Sequence, residues 1–140
     1  MMRINREVPV MFQLKSTEVV AIKRALEKFE DKVRDAMRMA LVESRRESAV
    51  AAGEVHDLGD ESVADELMEL NSALAERHGR EILRIERARQ RIADGDINAC
   101  TECAGDIGVQ RLLANPVAER CISCEARLER SHAHAAMPRM

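Results

Sequence analysis

The chain contains no tryptophan, no tyrosine and only two phenylalanines in 140 residues. Aromatic side chains carry much of the buried area of a thick globular core, so their scarcity argues against one. A long apolar run is missing as well. The N-terminus MMRINREVPVMFQLK lacks the apolar stretch of a signal peptide, and no segment is long enough to span a bilayer. The expectation is a cytoplasmic protein. No nucleophile–base constellation, phosphate-binding loop or open metal site is visible, so the chain does not read as an enzyme. Net charge is only −3, which gives no overall reason to expect nucleic-acid binding. Lysine and arginine are also absent from one particular stretch, between Arg46 and Arg77. That gap holds Glu47, Glu54, Asp57, Asp60, Glu61, Asp65, Glu66, Glu69 and Glu76. Arg77, Arg80, Arg84, Arg87, Arg89 and Arg91 follow at once, against only Glu81 and Glu86. An acidic middle thus gives way to a basic stretch.

What is present is led by four cysteines, arranged Cys100-x2-Cys103-x17-Cys121-x2-Cys124. Each C-x-x-C brings two thiolates onto one turn, close enough to hold the same ion. Two such pairs supply the four soft ligands of a closed tetrahedral zinc site. In a reducing cytosol paired thiols favour metal over disulfide. Four thiolates leave no coordination position for water or substrate, so one structural Zn2+ is expected.

The rest of the chain, one domain long and 34% charged, suits long helices that bury a narrow stripe and solvate the remainder. Residues 1–15 read as a lead segment with Pro9 and a few apolar residues. Ser16 or Thr17 is a plausible N-cap, with Glu18 near the positive helix end. Val19, Ile22, Leu26, Phe29, Val33, Ala36 and Ala40 then recur at spacings of three and four, the seam of an amphipathic helix in coiled-coil register. Met37 and Leu41 lie beside the seam, and Met37 and Met39 are the methionines expected to touch it. A helix from about 16 to 52 would be roughly 55 Å long.

Two glycines in GEVHDLGD, residues 53–60, break the pattern and predict a tight tip. Val63, Leu67, Leu70 and Leu74 resume the seam, and Ile82, Ile85, Ala88 and Ile92 continue it. The register falters around His78 and Gly79, which suggests a stutter or bend. Gly95, in Asp94-Gly95-Asp96, suits a left-handed helix end. Two long helices joined by a short loop must lie antiparallel to bury their stripes. The expected organisation is a lead segment over 1–15, a coiled-coil hairpin over 16–95 with its tip at about 53–62, and a zinc-finger module with a C-terminal helix over 96–140. The fold class is mainly α. The finger itself, 96–124, is too short for its own core, so metal binding supplies much of its folding free energy. Gly105, Gly108 and Pro116 are its turn points, and EARLERSHAHAA reads as a short helix that Pro138 would stop.

The segment CTECAGDIGVQRLLANPVAERCISC closely resembles the zinc finger of the DksA/TraR proteins, bacterial regulators of transcription initiation. The cysteine spacing agrees, as does an I-G-x-x-R-L-x-A-x-P core seen here as Ile107 to Pro116. The hairpin, its length and the motif Asp57-x-x-Asp60-x-Ser62 also agree with the longer DksA-like members, over roughly residues 12 to 132. The resemblance implies direct binding to RNA polymerase rather than to promoter DNA. The coiled coil would enter the secondary channel and bring its tip near the catalytic magnesium, altering the stability of open promoter complexes. Asp57 and Asp60 would be the tip carboxylates, with Ser62 standing where many members have alanine. An acidic tip suits a basic or metal-containing cavity and is repelled by DNA phosphates. Arg77, Arg80 and Arg84 fall where the family presents basic residues to the channel rim. Members responsive to guanosine tetraphosphate have an arginine before the finger proline and a lysine after the last cysteine. Here those positions are Asn115 and Glu125. Losing two cations from a site for a highly charged anion predicts little or no dependence on that nucleotide.

Blander readings stand beside these. An acidic run is ordinarily a solvated face, and the arginine row is partly helix decoration, although Arg77, Arg80, Arg84 and Arg87 share a face. His56, His78, His132 and His134 read as surface histidines, not ligands. Two further function classes remain: a nucleic-acid-binding zinc ribbon and a thiol-based redox sensor. Against the first, Arg111 and Arg120 offset Glu102, Asp106 and Glu119 poorly. A monomer is expected.

Overall fold

A computed structural model of the chain describes residues 13–53 and 60–135, with the backbone alone described at 51, 52, 60–64, 134 and 135. His56, Asp57 and Pro138 lie outside the described residues. Four helices follow in order: α1 (Ser16–Gly53), α2 (Asp60–Asp94), α3 (Val109–Ala114) and α4 (Ile122–Ala135). Among the described residues the only extended pairing is a lone antiparallel bridge between Ala99 and Asp106. The chain divides into two compact units, Met1–Glu27 with Glu86–Met140, and Lys28–Ile85.

In the first unit α1 starts one residue earlier than its apparent caps suggest. Its first backbone hydrogen bond runs from Val19 N–H to Lys15 O (3.0 Å), which makes Lys15 the N-cap. Glu18 accepts the Lys15 N–H at 2.8 Å, half of a capping box. Ser16 and Thr17 are therefore the first helical residues. At the far end of α2, Gly95 takes φ 77°. Its N–H bonds Ile92 O (3.2 Å) and the Asp96 N–H bonds Arg91 O (3.0 Å), the paired closure of a Schellman motif. Leu26 of α1 and Ile92 of α2 line one groove with Lys23, Glu27, Arg89 and Ala93, so the two helices lie side by side here. Ile22, Leu26 and Ala88 are buried, together with Ile97, Ile107, Leu112, Val117 and Ala118 of the cysteine segment. Full burial of each large aliphatic side chain contributes about 1.5–3 kcal/mol. The six-residue α3, which the sequence pattern did not announce, seats Leu112 in this core.

In the second unit the two helices again lie side by side, with the Asn71 amide donating to Ser44 Oγ at 3.3 Å. The inward positions differ in part from those expected. On α1, Val33 is buried and Met37, Ala40, Ser44 and Glu47 are half-buried, while Ala36 is exposed. A step of four from Val33 keeps phase with the positions that follow; a step of three to Ala36 does not. Met39 is 70% exposed, so Met37 alone of the two methionines touches the seam. On α2, Leu67 and Asn71 turn inward and Leu70 is 60% exposed. His78 is buried at 9% exposure, with Nδ1 3.2 Å from Glu81 Oε2. It is not a surface histidine. It occupies a seam position seven residues before the buried Ile85, so the apparent stutter is a polar residue in regular phase. The helix passes through Gly79 unbroken. Glu30 of α1 is buried too, and pairs with Arg34 at 2.6 Å.

Candidate metal centre

The first cysteine pair sits in a turn. The Ala104 N–H closes it on Cys100 O (2.9 Å), and Cys100 N–H donates to Gly105 O (2.8 Å). Ala104 takes φ 57°, a left-handed conformation that costs a side-chain-bearing residue about 1 kcal/mol. A Cβ on Gly105 would stand 3.3 Å from Cys103 Sγ, so glycine keeps space beside the sulfur. The second pair opens α4, which begins at Ile122 rather than after Cys124. The Glu125 N–H bonds Cys121 O (3.0 Å), so the positive end of the helix lies beside the sulfurs.

Together the turns bring all four Sγ atoms within 4.8 Å of one another. Cys103 and Cys121 Sγ are 3.9 Å apart. Thiolates around a tetrahedral metal at about 2.3 Å stand about 3.8 Å from each other, so the cluster fits such an ion. By themselves the four thiols cannot all ionise. Burial pushes Cys100 up, but backbone N–H donors from Cys103, Cys121 and Glu102 outweigh it and hold the thiol at about 6. The Cys121 N–H reaches Cys100 Sγ at 3.3 Å. Cys124 is pushed up to about 12 by burial and by its hydrogen bonds to Cys121 and Cys103, although Arg127 Nη2 donates to its sulfur at 3.1 Å. A divalent cation resolves that conflict, because it stabilises every thiolate at once.

A shell of backbone contacts fixes the two cysteine-bearing arms. Thr101 donates both its N–H (2.9 Å) and its Oγ1 (3.0 Å) to Glu119 O. The Gly108 N–H donates to Asn98 Oδ1 (3.0 Å), and the Ile107 N–H to Asn98 O (2.9 Å). Arg111 Nε donates to Arg120 O at 3.0 Å, and Arg120 in turn faces Glu102 (3.2 Å) and Glu125 (3.8 Å). Arg91 of α2 is the member the sequence did not single out. Its guanidinium donates to the carbonyl oxygens of Asp96 (3.1 Å), Ile97 (3.1 Å), Ala99 and Ala118 (3.3 Å). Nothing in the R-x-R-x-R spacing of Arg87, Arg89 and Arg91 separates such a residue from surface decoration.

The arginine row accordingly divides. Arg87 pairs with Glu119 at 3.1 Å and Arg91 is committed to carbonyls. Arg77, Arg80 and Arg84 remain exposed on α2, the first two beside Glu81 and Glu76 at 3.7 Å each. Asp60 opens α2 and Ser62 lies in its first turn. Asp57 falls outside the described residues, so the structure does not bring the three tip positions together.

A helical hairpin joined to a four-thiolate centre defines a class, a small helical metal-finger protein. No family model matches the chain. It is nevertheless homologous to a known protein. It is 27% identical over 124 residues to the RNA polymerase-binding transcription factor DksA of Salmonella typhimurium, an alignment covering 89% of this chain and 80% of that one. The protein of the same name from Buchnera aphidicola subsp. Schizaphis graminum is 33% identical over 70 residues, half of this chain and 46% of that one. The solved structure of transcription factor DksA2 from Pseudomonas aeruginosa superposes with a TM-score of 0.68 at 24% identity, covering 86% of this chain and 89% of that one. That likeness establishes the fold. These relatives are transcription factors, not enzymes, and no described helix is long and apolar enough to cross a membrane.

Proposed function

We propose that the chain is a cytoplasmic, monomeric regulator of transcription initiation that binds RNA polymerase directly. The observation that carries this reading is homology to DksA across most of the chain, cysteine cluster included. One structural zinc ion at Cys100, Cys103, Cys121 and Cys124 holds the finger. The hairpin over 16–95 enters the secondary channel, and Asp57, Asp60 and Ser62 at its tip alter open-complex stability. Arg77, Arg80 and Arg84, exposed on α2, meet the rim. A nucleic-acid-binding ribbon is disfavoured, since Arg111 is bonded to Arg120 O and Arg120 is paired with Glu102 and Glu125 within the finger. Glu125, 3.8 Å from Arg120, adds negative charge where a tetraphosphate-responsive site needs cations, which supports action with little dependence on guanosine tetraphosphate.

The test is capture of core polymerase followed by initiation assays, with and without the nucleotide. Asp57→Asn with Asp60→Asn is expected to leave helicity and polymerase binding within about twofold while removing the effect on transcription. Full activity in that double variant overturns the tip assignment; strong synergy with the nucleotide overturns the second point.

A further inference from the structure

We propose that Arg91 is the positioning residue of the metal centre: one guanidinium gathers the two arms that lead into the cysteine pairs and holds them at metal-binding separation. The inference rests on reading the cluster as a metal site. Three of its acceptors, Asp96, Ile97 and Ala99, lie on the arm that enters Cys100. The fourth, Ala118, lies three residues before Cys121. Thr101, Arg111 and Arg120 also link the arms, but all belong to the finger itself. Arg91 comes from outside it, from the last turn of α2. There its own carbonyl accepts the Asp96 N–H at 3.0 Å, so its backbone is fixed by the helix cap.

The chemistry requires arginine. Nη2 shares its two N–H groups among the three carbonyls of the Cys100 arm while Nη1 meets the Ala118 carbonyl of the other, so the planar fork spans both arms; an ammonium offers three donors from a single point. The side chain is only 13% exposed, and the carboxylate paired with it, Asp96, stands with Oδ1 3.8 Å from Nε. Burial lowers its pKa, and Asp96, Glu119 and Cys100 oppose that. The Ala99 carbonyl that the guanidinium holds is one residue from Cys100, so the cation lies close to the sulfur cluster. A divalent ion held by four thiolates carries a net −2, which a buried guanidinium offsets. Arg87, the other cation that α2 sends to the finger, is 61% exposed at Glu119 and contributes little.

The experiment uses the full zinc-loaded chain and an excess of a chromogenic chelator. Metal release is followed while the far-ultraviolet circular dichroism is recorded under the same conditions. Arg91→Lys keeps the charge and loses the fork. It is expected to release zinc about tenfold faster with helical signal unchanged; Arg91→Met, losing both, releases faster still. Arg87→Lys is expected to match the wild type within twofold. Equal release from wild type and Arg91→Lys overturns the proposal, and so does faster release that tracks a loss of helical signal. A wild-type chain that takes up no metal overturns the metal reading as well, whereas one that holds zinc indifferently to Arg91 overturns this proposal alone.

Discussion

The unit that carries the cysteines and the unit over Lys28–Ile85 are built on the same two helices yet by different means. In the first, apolar side chains from α1, α2 and the finger converge, and arginines are drawn inward to cap carbonyl oxygens. In the second, Val33 and Ile85 are the buried hydrophobic residues among those described, and they share the interior with Glu30 and His78. Ser44, Glu47, Asn71 and Glu81 occupy further inward positions. Apolar contacts stabilise without direction, whereas polar pairs in a seam specify which residues face each other at a cost in stability. The first unit is therefore made to be stable, and the second to hold a register.

Removing the metal should break the comparison most completely. Chelation, or Cys100→Ser, is expected to unfold the finger and expose Ile97, Ile107, Leu112 and Val117, all of which it keeps buried. Amide hydrogen exchange should rise by orders of magnitude over 96–124 and change little over the Lys28–Ile85 helices. Unchanged exchange in the finger after complete chelation would remove the structural role from the metal.

Next in size are two leucines on opposite sides of the contrast. Leu26→Ala deletes a side chain at 3% exposure and is expected to cost about 2–5 kcal/mol in denaturant unfolding. Leu70→Ala removes one that solvent already reaches and should stay within about 0.5 kcal/mol. Equal losses would mean that Leu70 is covered in solution and that the seam runs as the bare apolar pattern suggests.

That pattern made much of the molecule legible and failed for a definite reason. C-x-x-C spacing fixes a local turn geometry, so the four-sulfur cluster could be read directly. The long helices and the glycine-ended α2 follow from three-four periodicity and from Gly95 at φ 77°. Apolarity read as the mark of inwardness puts Leu70, Ala36 and Met39 in or against the seam. Asn71 and His78 show otherwise: helix phase decides which residues face inward, and phase is blind to polarity. Arg91 was illegible because its partners are backbone carbonyls, which every residue carries. Lys15 does not read as a cap because backbone and Glu18, not its own side chain, make the cap.

The smallest expected effect probes that phase most directly. Asn71→Leu exchanges the 3.3 Å hydrogen bond to Ser44 for apolar contact at a half-buried seam position. A part-exposed neutral hydrogen bond contributes about 1 kcal/mol or less, while an added buried leucine contributes somewhat more. The variant should therefore melt a few degrees higher, corresponding to about 1 kcal/mol. It should also lose specificity, because a seam without its polar marker tolerates shifted and intermolecular pairings. Sedimentation is expected to show more self-association in the variant than in the wild type at equal concentration. A lower melting temperature with unchanged mass would reverse the argument, making Asn71 and Ser44 a stabilising contact and the second unit no different in kind from the first.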